Sequence, residues 1–334
     1  MDTAEQAALR EAVRDFCGKH RDAQAWTRLT GELGLTGLAV PECYGGAGAG
    51  LAEVAVAVEE TGRVLLPAPY LSTALAGAVL SEGGAVDGDG VAAEFLTGIA
   101  SGARRAAFIL GGSVTVADGR LTGVADHVLD GAEADLFVVR AGDALFAVRA
   151  ADTVVTPSLT LDETRSQAAV SFDGAPGLAL GCAAERAEDL LRVMLAVESA
   201  GAAAHCLEVT VGYLKTRVQF GRPIGAFQAL RHRCADLAVE VASARATAYA
   251  AVRAASLAGA GSAVELAVLG PLAKRHCVDV FWHAAAEMVQ LHGGIGFTWE
   301  HEAHRYLKRA KTSQLLHGTP AELRRLVAAR AGLC

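Results

Sequence analysis

Residues 214–236 read LKTRVQFGRPIGAFQALRHRCAD, and this stretch decides how the chain folds. Arg217, Gln219 and Phe220 stand at the end of one helical pattern. Gly221–Gly225 interrupts it, because Pro223 has no amide donor and disfavours helical geometry at the residue before it. The pattern resumes near Ala226, with Leu230, Cys234, Leu237 and Val241 spaced to share one helix face. The corner therefore gathers a guanidinium, two amide side chains (Gln219 and Gln228) and an aromatic ring between two long helices. A guanidinium beside a turn rich in free backbone amides suits a pyrophosphate.

Working outward, the C-terminal half reads as helices at Ala183–Thr216, Ala226–Ala258, Ser262–Leu291, Trp299–Leu316 and Pro320–Ala331. The lengths of the first three predict an up-and-down bundle. The N-terminal third reads as helices at Thr3–Lys19, Trp26–Leu33 (closed by Gly34), Leu51–Gly62, Ser72–Leu80 and Val91–Ile99. Loops interrupt them at Pro41–Gly50, at the prolines Pro67 and Pro69, and at Gly83–Gly90. Between these halves the period shortens. Ala106–Leu110, Ser113–Ala117, Leu121–Val124, Leu136–Arg140, Ala144–Val148 and Ala168–Phe172 read as strands, with turns at Asp118–Gly119 and Gly142–Asp143. The expected fold class is α+β, mostly α. An N-terminal all-helical domain spans 1–103, a shortened antiparallel β domain 104–176, and a C-terminal four-helix bundle 177–334.

The chain has 334 residues, 52% of them apolar and only 5% aromatic, so its core must be built from Ala, Val and Leu. A net charge of −7 argues against nucleic acid as a main partner. There is no uninterrupted apolar run of about 18 residues, and the N-terminus lacks a basic start and an apolar block, so no membrane span and a cytoplasmic location are expected. The 7 cysteines form no CxxC pair, which predicts reduced, mostly buried thiols. His301 and His304 flank Glu302 without an HExxH pattern or a third ligand, so no metal site is expected. Trp282, His283 and Met288 fit a core or interface helix face. Lys308, Arg309 and Lys311 form a basic cluster, suited to solvent or to a phosphate.

RxQFGRPIGxFQ at 217–228 resembles the acyl-CoA dehydrogenase family. The resemblance continues in order at Gln290–Phe297 (QLHGGIGF) and His317–Thr319 (HGT), and reaches back to Leu33–Gly46 (LGLTGLAVPECYGG), covering nearly the whole chain. It implies that family's fold, FAD as cofactor and an acyl-CoA substrate. The reaction it implies is hydride transfer from the β carbon to FAD with removal of the α proton, leaving a trans-2-enoyl-CoA. In the family each subunit lends the corner and the QxxGGxG segment to FAD lying mainly in its neighbour. Carried onto this sequence, the cofactor-binding residues are Arg217, Val218, Gln219, Phe220, Phe227, Gln228, Gln290, Gly293, Gly294 and Thr319. Arg217 would meet the pyrophosphate, and Gly293–Gly294 would let backbone approach it.

Two parts of the family pattern are missing. No TExxxGSD-like segment opens the β domain to hold the flavin ring. The catalytic carboxylate is absent at its commoner position, His317, and at its alternative, Leu191 before Arg192. Glu198 lies about two helical turns further on. No catalytic residue is therefore assigned. The chain resembles the shorter, non-catalytic subunit of actinobacterial α2β2 dehydrogenases acting on steroid side-chain CoA thioesters, as the stretch 294–319 (GIGFTWEHEAHRYLKRAKTSQLLHGT) does most closely. That resemblance implies a homologous partner subunit supplying the base, with an electron-transfer flavoprotein as acceptor. Three other readings stay open: a self-sufficient homotetramer using His317 or Glu198 as base, a scaffold subunit without flavin, and a flavin oxidase or monooxygenase on the same fold.

Overall fold

In the computed structural model, which describes residues 3–22, 24–83, 90–257 and 259–333, the chain is mainly helical. Thr3 opens the first helix with a capping box: its hydroxyl accepts from the Gln6 amide, and the Gln6 side chain accepts from the Thr3 amide. That helix is α1 (Ala4–Lys19); α2 (Ala25–Leu33) follows and stops at Gly34, whose left-handed backbone suits glycine. Then come α3 (Leu51–Arg63), α4 (Tyr70–Gly83) and α5 (Val91–Ala100). Residues 84–89 of the expected Gly83–Gly90 loop lie outside the described residues.

Eight strands follow: β1 (Ala106–Ile109), β2 (Thr115–Ala117), β3 (Arg120–Leu129), β4 (Leu136–Ala141), β5 (Ala144–Arg149), β6 (Val154–Pro157), β7 (Gln167–Pro176) and β8 (Leu178–Leu180). They form two four-stranded sheets, ordered β1-β4-β5-β8 and β2-β3-β7-β6. A shared apolar core includes Ile109, Leu121, Phe137, Val139, Val148 and Phe172. The strand reading needs two corrections. β6 and β8 are additional; both are short edge strands, and β6 exposes Val154, so neither carries a buried apolar pattern. And although most pairs are antiparallel, β1 runs parallel to β4, because the β2–β3 hairpin between them belongs to the other sheet.

By contacts the chain divides into two compact units, 1–57 with 67–194, and 58–66 with 195–334. The three segments read from the sequence are segments by type of secondary structure, and helices α1–α5 share most of the first unit with the strands. Within that unit the Ser72 hydroxyl donates to Asp130 Oδ2 at 2.7 Å, and the Ala106 amide donates to Thr73 Oγ1 at 3.0 Å.

The second unit holds most of α6 (Ala184–Thr216) and all of α7 (Gln228–Ser256), α8 (Ala260–His292), α9 (Ala303–Leu315) and α10 (Pro320–Arg330). Helices α7, α9 and α10 all pack on α8. Helix α9 begins at Ala303 rather than at the expected Trp299, with Glu302 as its N-cap; the His301 ring, one residue further out, accepts the Ala303 amide at 3.1 Å and satisfies the first helical donor. A polar layer crosses this unit. Glu59 accepts from Arg245 Nε and from the Tyr249 hydroxyl, each at 2.6 Å, and Glu198 accepts from Arg309 at 3.1 Å. Gly201 lets backbones approach: a Cβ there would lie 2.1 Å from the Glu59 carbonyl oxygen. Helix α6 is long and apolar enough to cross a membrane, but 78% of its apolar window is buried in the fold, as in a core helix.

Cys17, Cys182, Cys206, Cys234 and Cys277 are buried thiols outside any disulfide and Cys43 an exposed one; Cys334 lies outside the described residues. Burial pushes the Cys182 thiol up to about 11, so it is protonated near neutral pH. Among the described residues no group of metal-ligand side chains could hold an ion.

Candidate functional site

The sequence corner is tighter than its helical reading. Helix α6 ends at Thr216, and Val218–Gln219 (β9) pairs with Arg222–Pro223 (β10) in a minimal hairpin. Its two turn residues, Phe220 (φ 53°) and Gly221 (φ 75°), both have positive φ, the signature of a type I′ turn. The helix itself stops at Thr216 as expected; the residues after it, read as the end of the helical pattern, form this turn instead, which needs paired residues on both sides and so takes Val218 and Gln219 as strands. The Ile224 amide donates to the Arg217 carbonyl at 2.8 Å and closes the hairpin. Arg222 lies over the Phe227 ring at 4.2 Å, and Phe220 meets the same ring edge-on at 6.0 Å.

The facing wall comes from the end of α8. Gly293 terminates it at φ 64°, a conformation that favours glycine, and a Cβ there would meet nothing within 4 Å. Between the walls lies a cavity of about 530 Å³, in the size range of small-molecule sites. Of the residues expected to hold cofactor, Arg217, Gln219, Gln290, Gly293 and Gly294 line it together.

Charge in the cavity is concentrated on one group. Arg233 lines it too, but its guanidinium is bound by both Glu287 oxygens at 2.8 and 2.6 Å, and that hydrogen bonding raises its pKa. Arg217 has no ion-pair partner among the described residues and remains an uncompensated cation. His292 adds an unusual acceptor. It is buried at 3% exposure, and its Nδ1 donates to the Met288 carbonyl at 2.7 Å. Burial holds its pKa below the ordinary 6.5, assisted by nearby His301, so the ring is neutral near pH 7. Among the described residues its Nε2 has no hydrogen-bond partner.

The other expected residues lie outside the cavity lining. Val218 and Gln228 are exposed, and Gln228 Nε2 contacts His232 Nε2 at 3.3 Å. Phe220 and Phe227 form the ring pair of the hairpin. Thr319 is the N-cap of α10: its hydroxyl donates to Glu322 Oε2 at 2.8 Å and accepts from the Glu322 amide at 3.3 Å. His317 has φ 51°, and the next carbonyl, of Gly318, accepts from the fully buried Lys274 ammonium at 2.6 Å. Leu191 is buried core. Glu198 is committed to Arg309, which is itself buried and so does not belong to a surface basic cluster; Lys308 and Lys311 lie over Trp299 and Trp282 at 4.7 and 5.6 Å.

Tyr213, Ile224, Leu230, Arg233, Leu291, His292 and Ile295 line the cavity without having been singled out from sequence as ligand contacts. Tyr213 had a legible signal, since it precedes Arg217 by one helical turn and shares its face. His292 sits inside QLHGG, but only burial and the Met288 contact show its state.

The family model described as acyl-CoA dehydrogenase, C-terminal domain, matches residues 183–332, and the N-terminal domain model of the same family matches 3–103. The chain is 38% identical over 338 residues to acyl-CoA dehydrogenase IpdE2 of Mycobacterium tuberculosis, covering 96% of each chain. Among solved structures it is similar to a variant of the Tcur3481–Tcur3483 steroid ACAD, with a TM-score of 0.89 and 27% identity over 98% of both chains. It is also similar to the ChsE4–ChsE5 complex from Mycobacterium tuberculosis, with a TM-score of 0.87 and 26% identity over 100% of this chain and 99% of the other.

Proposed function

The chain belongs to the acyl-CoA dehydrogenase family, FAD-dependent oxidoreductases acting on the CH–CH bond of acyl-CoA thioesters, and from that premise we propose that it is the half of a two-chain enzyme that completes a flavin site without supplying the catalytic base. The observation that carries this reading is a cationic, glycine-edged corner suited to a dinucleotide, in a chain that has no carboxylate at either family base position. Arg217 is an uncompensated cation in a cavity with Gly293 and Gly294, while His317 and Leu191 stand where the family resemblance puts a carboxylate.

The donor set fits the pyrophosphate–adenosine end of FAD. Arg217 would hold pyrophosphate oxygens through charge-assisted hydrogen bonds, the open side of Gly293 admits close backbone approach, and Gln219 and Gln290 offer amide donors and acceptors. When bound, FAD supplies the acceptor for the hydride leaving the β carbon. Removing the α proton requires a positioned base. Glu198 cannot take that role without giving up Arg309, so a carboxylate from a homologous partner is proposed, in an α2β2 assembly. The two similar solved structures, each named for a pair of proteins, support a heteromeric enzyme, and the first, named as a steroid ACAD, supports a steroid-derived acyl-CoA substrate. Near the corner Phe220 is 89% exposed, Phe297 87% and Trp299 76%, apolar surface of the kind that partner subunits cover. A cytoplasmic location and reoxidation by an electron-transfer flavoprotein complete the proposal. Turnover of the co-purified complex is the test. His317→Gln should leave it unchanged, and a large loss of kcat would move the base onto this chain.

A further inference from the structure

We propose that the outer face of helix α9 docks a carboxylate-rich face of the homologous partner subunit, and that its charge selects that partner over a second copy of this chain. The proposal rests on the two-chain reading above and names the surface and the chemistry by which the chains recognise each other. Helix α9 carries four Lys or Arg side chains and no Asp or Glu, in a chain whose net charge is −7. Arg309 is buried against Glu198, which leaves Arg305, Lys308 and Lys311. Among the described residues these three make no ion pair. Two carboxylates beside the helix are engaged elsewhere: Glu302 with His205 at 2.9 Å, and Asp279 with Gln314 at 3.2 Å and Arg275 at 3.8 Å.

The two lysines are held ready. His304, Lys308, Lys311 and Leu315 follow one another at helical spacings and share one stripe of α9. The Lys308 ammonium lies 4.7 Å from the Trp299 ring centroid and the Lys311 ammonium 5.6 Å from that of Trp282. A cation resting on an indole keeps its charge in solvent while its flexible stem is restrained, so less side-chain entropy is lost when a carboxylate arrives. Exposed Phe297, Trp299 and Leu315 beside these cations give the composition of an interface centre, aromatic and cationic at once. A two-fold contact of this face with itself would set α9 against α9 and cation against cation, so a second copy is disfavoured there. The place of the stripe points to the other chain. Gly293 and Gly294 wall the cavity, the turn they open (Gly293–Phe297) packs on both α8 and α9, and Trp299 follows directly. The stripe therefore continues the surface that a subunit sharing the flavin site must cover.

The test dilutes the co-purified complex at low and at high salt and follows its dissociation by mass photometry. Lys308→Glu with Lys311→Glu should weaken assembly about tenfold at low salt, and less than about threefold at high salt, because exposed charges are screened. Arg324→Glu with Arg325→Glu makes the same change in net charge on exposed positions of α10, and should alter assembly less than about twofold. Lys308→Arg with Lys311→Arg should assemble as wild type. Thermal melts report folding; if the reversed pair melts early, Lys308→Gln with Lys311→Gln carries the same comparison. Equal effects of the α9 and α10 pairs, or a complex indifferent to both and to salt, would overturn the inference. Unchanged assembly with weakened binding of inorganic phosphate would also overturn it and assign the cations to a small anion. A wild-type chain that forms no complex with the homologous subunit would overturn the two-chain reading itself, and the inference with it.

Discussion

Replacing Arg217 with Gln separates binding from folding. In this structure Arg217 is exposed and has no ion-pair partner among the described residues, so its loss should change stability by no more than about 0.5 kcal/mol. In the flavin-bound complex proposed above, the same side chain would make charge-assisted hydrogen bonds to pyrophosphate. Each such interaction contributes about 1.5–3 kcal/mol, so the FAD dissociation constant should rise about 10- to 150-fold. Arg233 is the control. It lines the same cavity, but its charge is matched by Glu287, so Arg233→Gln should cost about 1 kcal/mol of stability and change FAD affinity by less than about threefold. The assay is fluorescence titration of the flavin-stripped complex alongside thermal melts. Affinity should also fall with added salt in wild type and less so in Arg217→Gln, because a cation–anion contact is lost. Equal effects of the two substitutions on FAD, or an early melt for Arg217→Gln, would refute the assignment of charge in this cavity.

Arg309→Met should destabilise the chain by about 3–5 kcal/mol in denaturant titrations, since it removes the buried cation that faces the part-buried Glu198 carboxylate, and adding Glu198→Gln should restore part of that loss. Gly201→Ala should cost about 1–3 kcal/mol or prevent folding, because its Cβ would lie 2.1 Å from the Glu59 carbonyl oxygen. Gly212→Ala, on the same helix with nothing within 4 Å, should stabilise by about 0.5–1 kcal/mol in the same melts. The lowered pKa of His292 sets a pH dependence: the unfolded chain takes up the proton first, so stability should fall as pH drops below about 6.5 and go on falling until the folded-state value is passed. Glu302 opposes this shift and His301 adds to it; His292→Phe should flatten that part of the profile.

Much of the fold was legible because its signals are local. Thr3 with Gln6, Gly34 after Leu33, and Thr319 before Pro320 mark helix ends through caps that involve only neighbours in sequence. The hairpin at 218–223 was not, because Phe220 takes a positive φ that no side-chain preference of phenylalanine announces. The β1–β4 parallel pair was hidden for another reason: pairing partners about thirty residues apart leave no periodic trace. At the site, the motifs placed Arg217, Gln219, Gln290, Gly293 and Gly294 around one cavity. They could not show that Glu287 neutralises Arg233, or that His292 is buried with one nitrogen bare, since both depend on long-range packing.

The account rests on this chain completing a flavin site that it cannot fill alone. The most direct measurement is the flavin absorbance spectrum with molar mass, taken on the chain purified alone and again after co-expression with a homologous dehydrogenase subunit. The account predicts a colourless chain alone and a yellow α2β2 complex with one FAD per heterodimer. One FAD per subunit in the chain alone, with oxidation of an acyl-CoA, would contradict it and make His317 the first residue to replace.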